Sequence, residues 1–114
     1  MKNGFSVFLF FALTLFISLP TEGSEYLQEI VRANDLYSEK RYAQSAEAYE
    51  ALIDKDIRSG YLYYNLGNAL QAAGRAEEAV GSFQVALKMK PLMAEVASNL
   101  ASALNDLGRH VEAA

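Results

Sequence analysis

Tyr63-Tyr64-Asn65-Leu66-Gly67-Asn68-Ala69-Leu70, followed by Ala79, Phe83, Ala86 and Leu87, decides how this chain is read. Tyr63, Leu66, Gly67 and Leu70 fall at i, i+3, i+4 and i+7, one stripe of an α-helix. Ala79, Phe83, Ala86 and Leu87 fall at i, i+4, i+7 and i+8 and mark a second helix. Gly74 lies between the two stripes, where a glycine can take the left-handed conformation that closes a helix. Pro91 comes after the second stripe and cannot donate the bond that a continuing helix needs. The stretch therefore predicts a helix, a tight turn and a helix.

The same pattern recurs on both sides. Leu36, Leu70 and Leu104 are evenly spaced, and Arg41, Arg75 and Arg109 keep the same step. So do Ala33, Gly67 and Ala101, and Ser45, Ala79 and Ala113, while Tyr49 pairs with Phe83. Fixed periods of this length mark repeat architectures. The spacing predicts helices at about 25–39, 42–55, 61–73, 76–89, 93–107 and 110–114, with Gly74 and Gly108 between stripes. Small residues at 33, 67 and 101 are expected to sit against small residues at 45, 79 and 113. Tyr49 and Phe83 would then fill the neighbouring gaps, and a bulky side chain at Gly67 would overpack the crossing. Gly81 weakens a helix interior, and the sequence shows no reason for it.

The 114 residues allow one small domain, and 52% hydrophobic residues with only two prolines are not the profile of a disordered chain. The absence of cysteine excludes disulfide scaffolds, zinc ribbons and thiol nucleophiles. A net charge of −4 gives no basic face for nucleic acid. Lys2 precedes an uncharged run from Phe5 to Leu19, then Pro20 and the small residues Thr21 and Gly23. That layout predicts a secretory signal over residues 1–23, cleaved after Gly23 or, second, after Ser24. The chain is then exported, periplasmic or secreted. The alternative is a membrane anchor through residues 5–19, although a span needs about 20 apolar residues. Residues 24–114 form the domain, with units at 26–59, 60–93 and an incomplete 94–114.

Chemistry is harder to place here. Neither a nucleophile elbow nor a phosphate loop is present. His110 is the sole histidine, so a histidine metal site is implausible; it is best read as a solvated helix-start residue. Glu77 and Glu78 are adjacent and point different ways on a helix, where they complement its positive N-terminal end. Asp54 and Asp56 have no third carboxylate at metal-ligand spacing and read as linker charges. The reading is no enzyme, no cofactor and no metal.

These residues resemble the tetratricopeptide repeat family. Tyr63, Leu66-Gly67, Leu70, Ala79, Phe83, Ala86 and Pro91 match its repeat pattern in the middle unit. The third unit keeps Leu100, Ala101, Leu104 and Ala113, with Ala97 where an aromatic is usual. The first keeps Ala33, Leu36, Ser45 and Tyr49 but departs at Glu29, Arg32, Leu52 and Ile57. The resemblance implies an all-α fold: a right-handed superhelix of antiparallel helix hairpins (a TPR solenoid), about two and a half repeats long. Polar Glu29 and Arg32 are expected to cap the outer side of the first unit. Because the chain stops one turn into the last predicted helix, Leu100 and Leu104 are expected to lack their packing partner. That favours self-association, or a chain that is a piece of a longer repeat protein.

In this family the first helix of each unit lines a concave face. Carried over, the resemblance places Leu62, Tyr64, Asn65, Asn68, Gln71 and Ala72 there in the middle unit. The first unit supplies Leu27, Ile30, Val31, Asn34, Tyr37 and Ser38, and the third Glu95, Ser98, Asn99, Ser102, Asn105 and Asp106. Asparagine offers both donor and acceptor and can pair with a peptide backbone of any sequence. Asn65 and Asn99, one repeat apart, resemble the asparagine ladder by which some members hold extended peptides. Asn34, Asn68, Gln71, Ser102 and Asn105 would add polar contacts, and Tyr37 and Tyr64 apolar area. The subtype that clamps acidic chaperone tails is disfavoured. Its lysine positions hold Ile30 and Glu95 and its arginine position Asn99; only Asn34 and Asn65 fit.

Three roles follow from this reading. The first is an exported scaffold that binds a protein or peptide on its concave face. The second is a membrane-tethered assembly factor that self-associates; Tyr61–Gly67 and the N-terminal segment resemble repeat proteins encoded with bacterial aerotolerance (Bat-type) operons. The third is a regulatory piece of a larger enzyme.

Overall fold

The structure is a computed structural model that describes residues 22–89 and 94–113. Five helices follow one another: α1 (Glu22–Ser38), α2 (Tyr42–Asp54), α3 (Gly60–Ala72), α4 (Ala76–Met89) and α5 (Ala94–Ala113). Each packs on the next, and α3 also touches α5. Among the described residues there is no strand, and no helix is long and apolar enough to cross a membrane. The all-α stack of hairpins expected from the repeat period is what forms. Residues 1–21 of the signal or anchor segment and the stop at Pro91 lie outside the described residues, and the expected cleavage point after Gly23 falls within the first turn of α1.

Three turns share one closing device. Arg41 N–H donates to the Leu36 carbonyl at 2.9 Å and Lys40 N–H to the Tyr37 carbonyl at 3.0 Å. Arg75 to Leu70 (2.8 Å) and Gly74 to Gln71 (3.0 Å) repeat these bonds one unit on, and Ile57 to Leu52 (3.3 Å) and Asp56 to Ile53 (3.0 Å) close α2. This six-to-one and five-to-two pattern needs a left-handed residue after the helix. Gly74 supplies it at φ +82°, but Lys40 and Asp56 adopt +64° and +66° with side chains in place. At the far end of the loop between α2 and α3, Ser59 caps α3 by accepting from Leu62 N–H at 3.3 Å.

The core runs along the stack. Leu52, Leu70, Phe83 and Val96 are its largest fully buried side chains. The Gly67 expectation holds: a Cβ there would come within 2.5 Å of Cε1 of Phe83. In the first hairpin Ala33 faces Ser45, whose buried Oγ donates to the Ala33 carbonyl at 2.8 Å.

The third unit departs from expectation. The spacing predicts helices at 93–107 and 110–114 with a break at Gly108, but α5 runs through Gly108 to Ala113. Glycine costs a helix interior only about 1 kcal/mol, so the helical backbone bonds carry on through Gly108. The pairing of Ala101 with Ala113 therefore does not form. The two share one helix about 18 Å apart, and Ala101 is exposed. Of the two leucines expected to lack a packing partner, Leu104 is 49% exposed, but Leu100 is half-buried and packs against the core.

The capping residues also differ from expectation. Glu29 does not face outward alone; its Oε1 pairs with Lys55 Nζ from the end of α2 at 2.7 Å. The register that buries Leu62 and Ala69 in the second unit, and Val96 and Ala103 in the third, holds exposed Gln28 and Asp35 in the first. Those two join exposed Arg32, whose register holds buried Leu66 in the second unit, in making the first unit polar where the next is buried.

Candidate functional site

The residues expected on the inner wall lie on α1, α3 and α5, the first helix of each unit. Along each helix the wall residues recur three or four apart, so they share one face opposite the buried stripe. Asn34, Tyr37 and Ser38 from α1 meet Asn65 and Asn68 from α3 around a pocket of about 190 Å³, with Tyr49 of α2 reaching in from behind. No formal charge lines it.

Tyr49 explains how the pocket is braced. Its ring is 2% exposed, so the hydroxyl must find a partner. It donates to Oδ1 of Asn34. Burial pushes the phenol above its ordinary pKa, because the anion would lose its water. Ser38 Oγ donates to the Asn34 carbonyl at 3.2 Å. Tyr37 stacks edge-on against Tyr42 with ring centroids 5.2 Å apart.

A second set of bonds ties α3 to α5. Asn99 Nδ2 donates to Asn68 Oδ1 at 2.7 Å and to the Tyr64 hydroxyl at 3.3 Å. Gln71 Nε2 donates to Ser102 Oγ at 2.9 Å and to Asp106 Oδ2 at 3.1 Å. The Tyr64 ring rests 6.2 Å from that of Phe83.

The structure thus brings together Asn34, Tyr37, Asn65 and Asn68 at the pocket, and Tyr64, Gln71, Asn99 and Ser102 in the bonds between α3 and α5. Asn105 is exposed on α5 and joins neither group. Leu62 is corrected: it is 3% exposed in the core, and Tyr61, at 55%, takes the wall register shared with Leu27 and Glu95. The wall of the middle unit begins one residue earlier than its pattern implied. Tyr49 is absent from the wall expected from sequence, where its stripe position makes it core filler. The available signal was its phenol, at the place that Phe83 occupies in the next unit.

The charges lie elsewhere. Arg75 grips Glu78 with two bonds, 2.9 Å from Nε and 2.5 Å from Nη2. The guanidinium holds the Glu78 carboxyl below its usual pKa, and the carboxylate raises that of Arg75. Glu77 and Glu78 do occupy the first turn of α4, as expected. Among the described residues no group of three or more histidine, aspartate or glutamate side chains could hold a metal.

Comparison with known proteins agrees with this geometry. No curated protein matches the chain. A sequence profile for the tetratricopeptide repeat matches residues 30–88 and again residues 64–114. With five stacked helices, a recurring register and that match over most of its length, the chain belongs to the tetratricopeptide repeat family.

Proposed function

We propose that this chain is an exported, non-enzymatic scaffold whose inner wall holds an extended segment of a partner protein. Family membership supports a role in protein interaction. The observation that carries the finer reading is the uncharged pocket where Asn34, Asn65 and Asn68 converge. The Asn65 side chain has no hydrogen-bond partner among the described residues, so its amide donor and acceptor are free to meet a peptide backbone at the pocket. Export rests on the Lys2 start, the uncharged run Phe5 to Leu19 and the small residues at 21 and 23. N-terminal sequencing of the mature chain tests it: a start at Ser24 or Glu25 supports cleavage, and a retained Met1 favours the anchor.

The wall is tested with peptides selected on the purified chain from a random display library, measured by fluorescence anisotropy. Asn65→Ala with Asn99→Ala should weaken binding by about threefold to tenfold, chiefly the loss of one Asn65 bond of about 1 kcal/mol, since both N–H bonds of Asn99 are spent on Asn68 and Tyr64. Equal affinity with an intact fold would overturn the wall reading. A second role, self-association as a membrane-tethered assembly factor, is favoured by one observation. Ala97, Ala101 and Leu104 leave an exposed apolar stripe on α5. Sedimentation should then show a concentration-dependent dimer that Leu104→Lys abolishes; a monomer at all concentrations excludes it.

A further inference from the structure

The inner wall changes character from α1 to α5, and that change describes its guest. On α1 the wall opens with Leu27 and Val31, 61% and 48% exposed. Large aliphatic side chains left in water on one helix face, with no charge between them, mark a surface that gains by being covered. Next in the same rows come Tyr61, Tyr64 and Asn65 on α3, aromatic and amide but uncharged. The row ends at Glu95 in the first turn of α5, exposed and without an ion pair among the described residues. Arg109 lies about 21 Å further along α5, too far to neutralise it.

The hydrogen-bond directions between these ends add a second constraint. Asn34 and Asn68 have their Oδ1 atoms occupied, by Tyr49 and by Asn99. What they turn to a guest is therefore Nδ2, a donor of two N–H bonds each. At these two asparagines, about two turns along from the row of Leu27 and Glu95, the wall asks for acceptors, which the carbonyls of an extended backbone supply.

We infer that the guest is an extended peptide segment with aliphatic side chains at one end and a lysine or arginine about six residues away. The inference rests on the proposed wall reading and names the chemistry of its partner. Successive inner helices lie about 10 Å apart, so α1 and α5 are separated by about 20 Å, which about six extended residues cover at about 3.3 Å each. The aliphatic side chains cover Leu27 and Val31, a backbone carbonyl meets Asn65 one inner helix on, and the cation meets Glu95. A chain of net charge −4 also draws a cationic segment towards it from a distance.

Three fluorescein-labelled peptides with a serine–alanine interior test this on the full chain by anisotropy. The first carries a leucine–valine pair and a lysine at that spacing. The second has glutamate in place of the lysine, and the third has serines in place of the pair. The first should bind about tenfold more tightly than either other. Glu95→Lys should reverse the order of the first and second, and Val31→Asp should weaken both but leave the third unchanged. Equal binding of the first two, with Glu95→Lys changing neither, overturns the inference. So does failure of the first peptide to bind at millimolar concentration. The wall reading stands or falls separately. If Asn65→Ala with Asn99→Ala still weakens the display-selected peptides, the wall is the site and only the guest's polarity was misjudged; if it does not, the site itself is wrong.

Discussion

Two glycines, each inside a helix, should respond oppositely to the same change. Gly67 and Gly81 sit within α3 and α4, and in either case alanine gains about 1 kcal/mol of helix propensity. At Gly81 a Cβ meets nothing within 4 Å, so Gly81→Ala should keep that gain. At Gly67 the new Cβ would lie 2.5, 2.6 and 2.8 Å from three ring carbons of Phe83. Carbon pairs settle at about 3.5–4.0 Å, so the ring must retreat by about 1 Å. Phe83 is 0% exposed and has no open side to retreat into. Overpacking of this kind costs about 1–3 kcal/mol, and contact with three atoms of an enclosed ring belongs at the upper end. Net of propensity, Gly67→Ala should destabilise by about 1–2 kcal/mol, a fall in Tm of roughly 5–15 °C, while Gly81→Ala should raise Tm by about 4–8 °C. Thermal unfolding followed by far-ultraviolet circular dichroism measures both. A Gly67→Ala chain that melts at or above the parent would refute the close crossing of α3 and α4.

Further outcomes follow from the turns, the buried serine and the buried phenol. Lys40→Gly should stabilise by about 1 kcal/mol, because φ +64° strains a residue with a Cβ; Gly74→Ala, at φ +82°, should cost about as much, and urea titration reads both. Ser45→Ala should cost about 0.5–1.5 kcal/mol in the same titration, since the Ala33 carbonyl loses its 2.8 Å second donor but keeps its bond within α1. Tyr49 has a folded-state pKa above its ordinary 10.0, so the folded chain keeps a proton that the unfolded chain releases. Its contribution is whole below the ordinary value and is lost as pH rises through the folded-state value. Stability should therefore fall in alkali, and Tyr49→Phe should lessen that fall; an unchanged alkaline slope would count against a buried, bonded phenol.

Much of the fold was legible because the signal was stated more than once. Leu36, Leu70 and Leu104 share one register, and small residues at 33 and 67 mark the close crossings. Helix ends at 38, 54, 72 and 89 fall within a residue of the periodic stripes. What misleads is the assumption that each register position keeps its role in every unit. Position 40 carries lysine where 74 carries glycine, and both turn left-handed because the same bonds close the helix. Gly108 carries the glycine, yet no turn forms, since a glycine permits a left-handed turn without requiring one. The wall was legible as a face but not as a network. Periodicity places Asn68 and Asn99 on neighbouring helices, but that one amide consumes the other's acceptor depends on how α3 and α5 pack. Tyr49 shows the same limit: its stripe position indicates burial, while the reach of its hydroxyl to Asn34 depends on where α1 lies.

The central claim is that the wall of α1, α3 and α5 receives the guest. Side-chain amide resonances report on it directly. In a ¹⁵N-correlated NMR titration with the aliphatic–lysine peptide, the Nδ2 signals of Asn34, Asn65 and Asn68 should shift and saturate together, with α2 and α4 surface amides unmoved. Shifts confined to α2, to α4 or to the outer stripe at Ala97, Ala101 and Leu104, with those three asparagines silent, would contradict it.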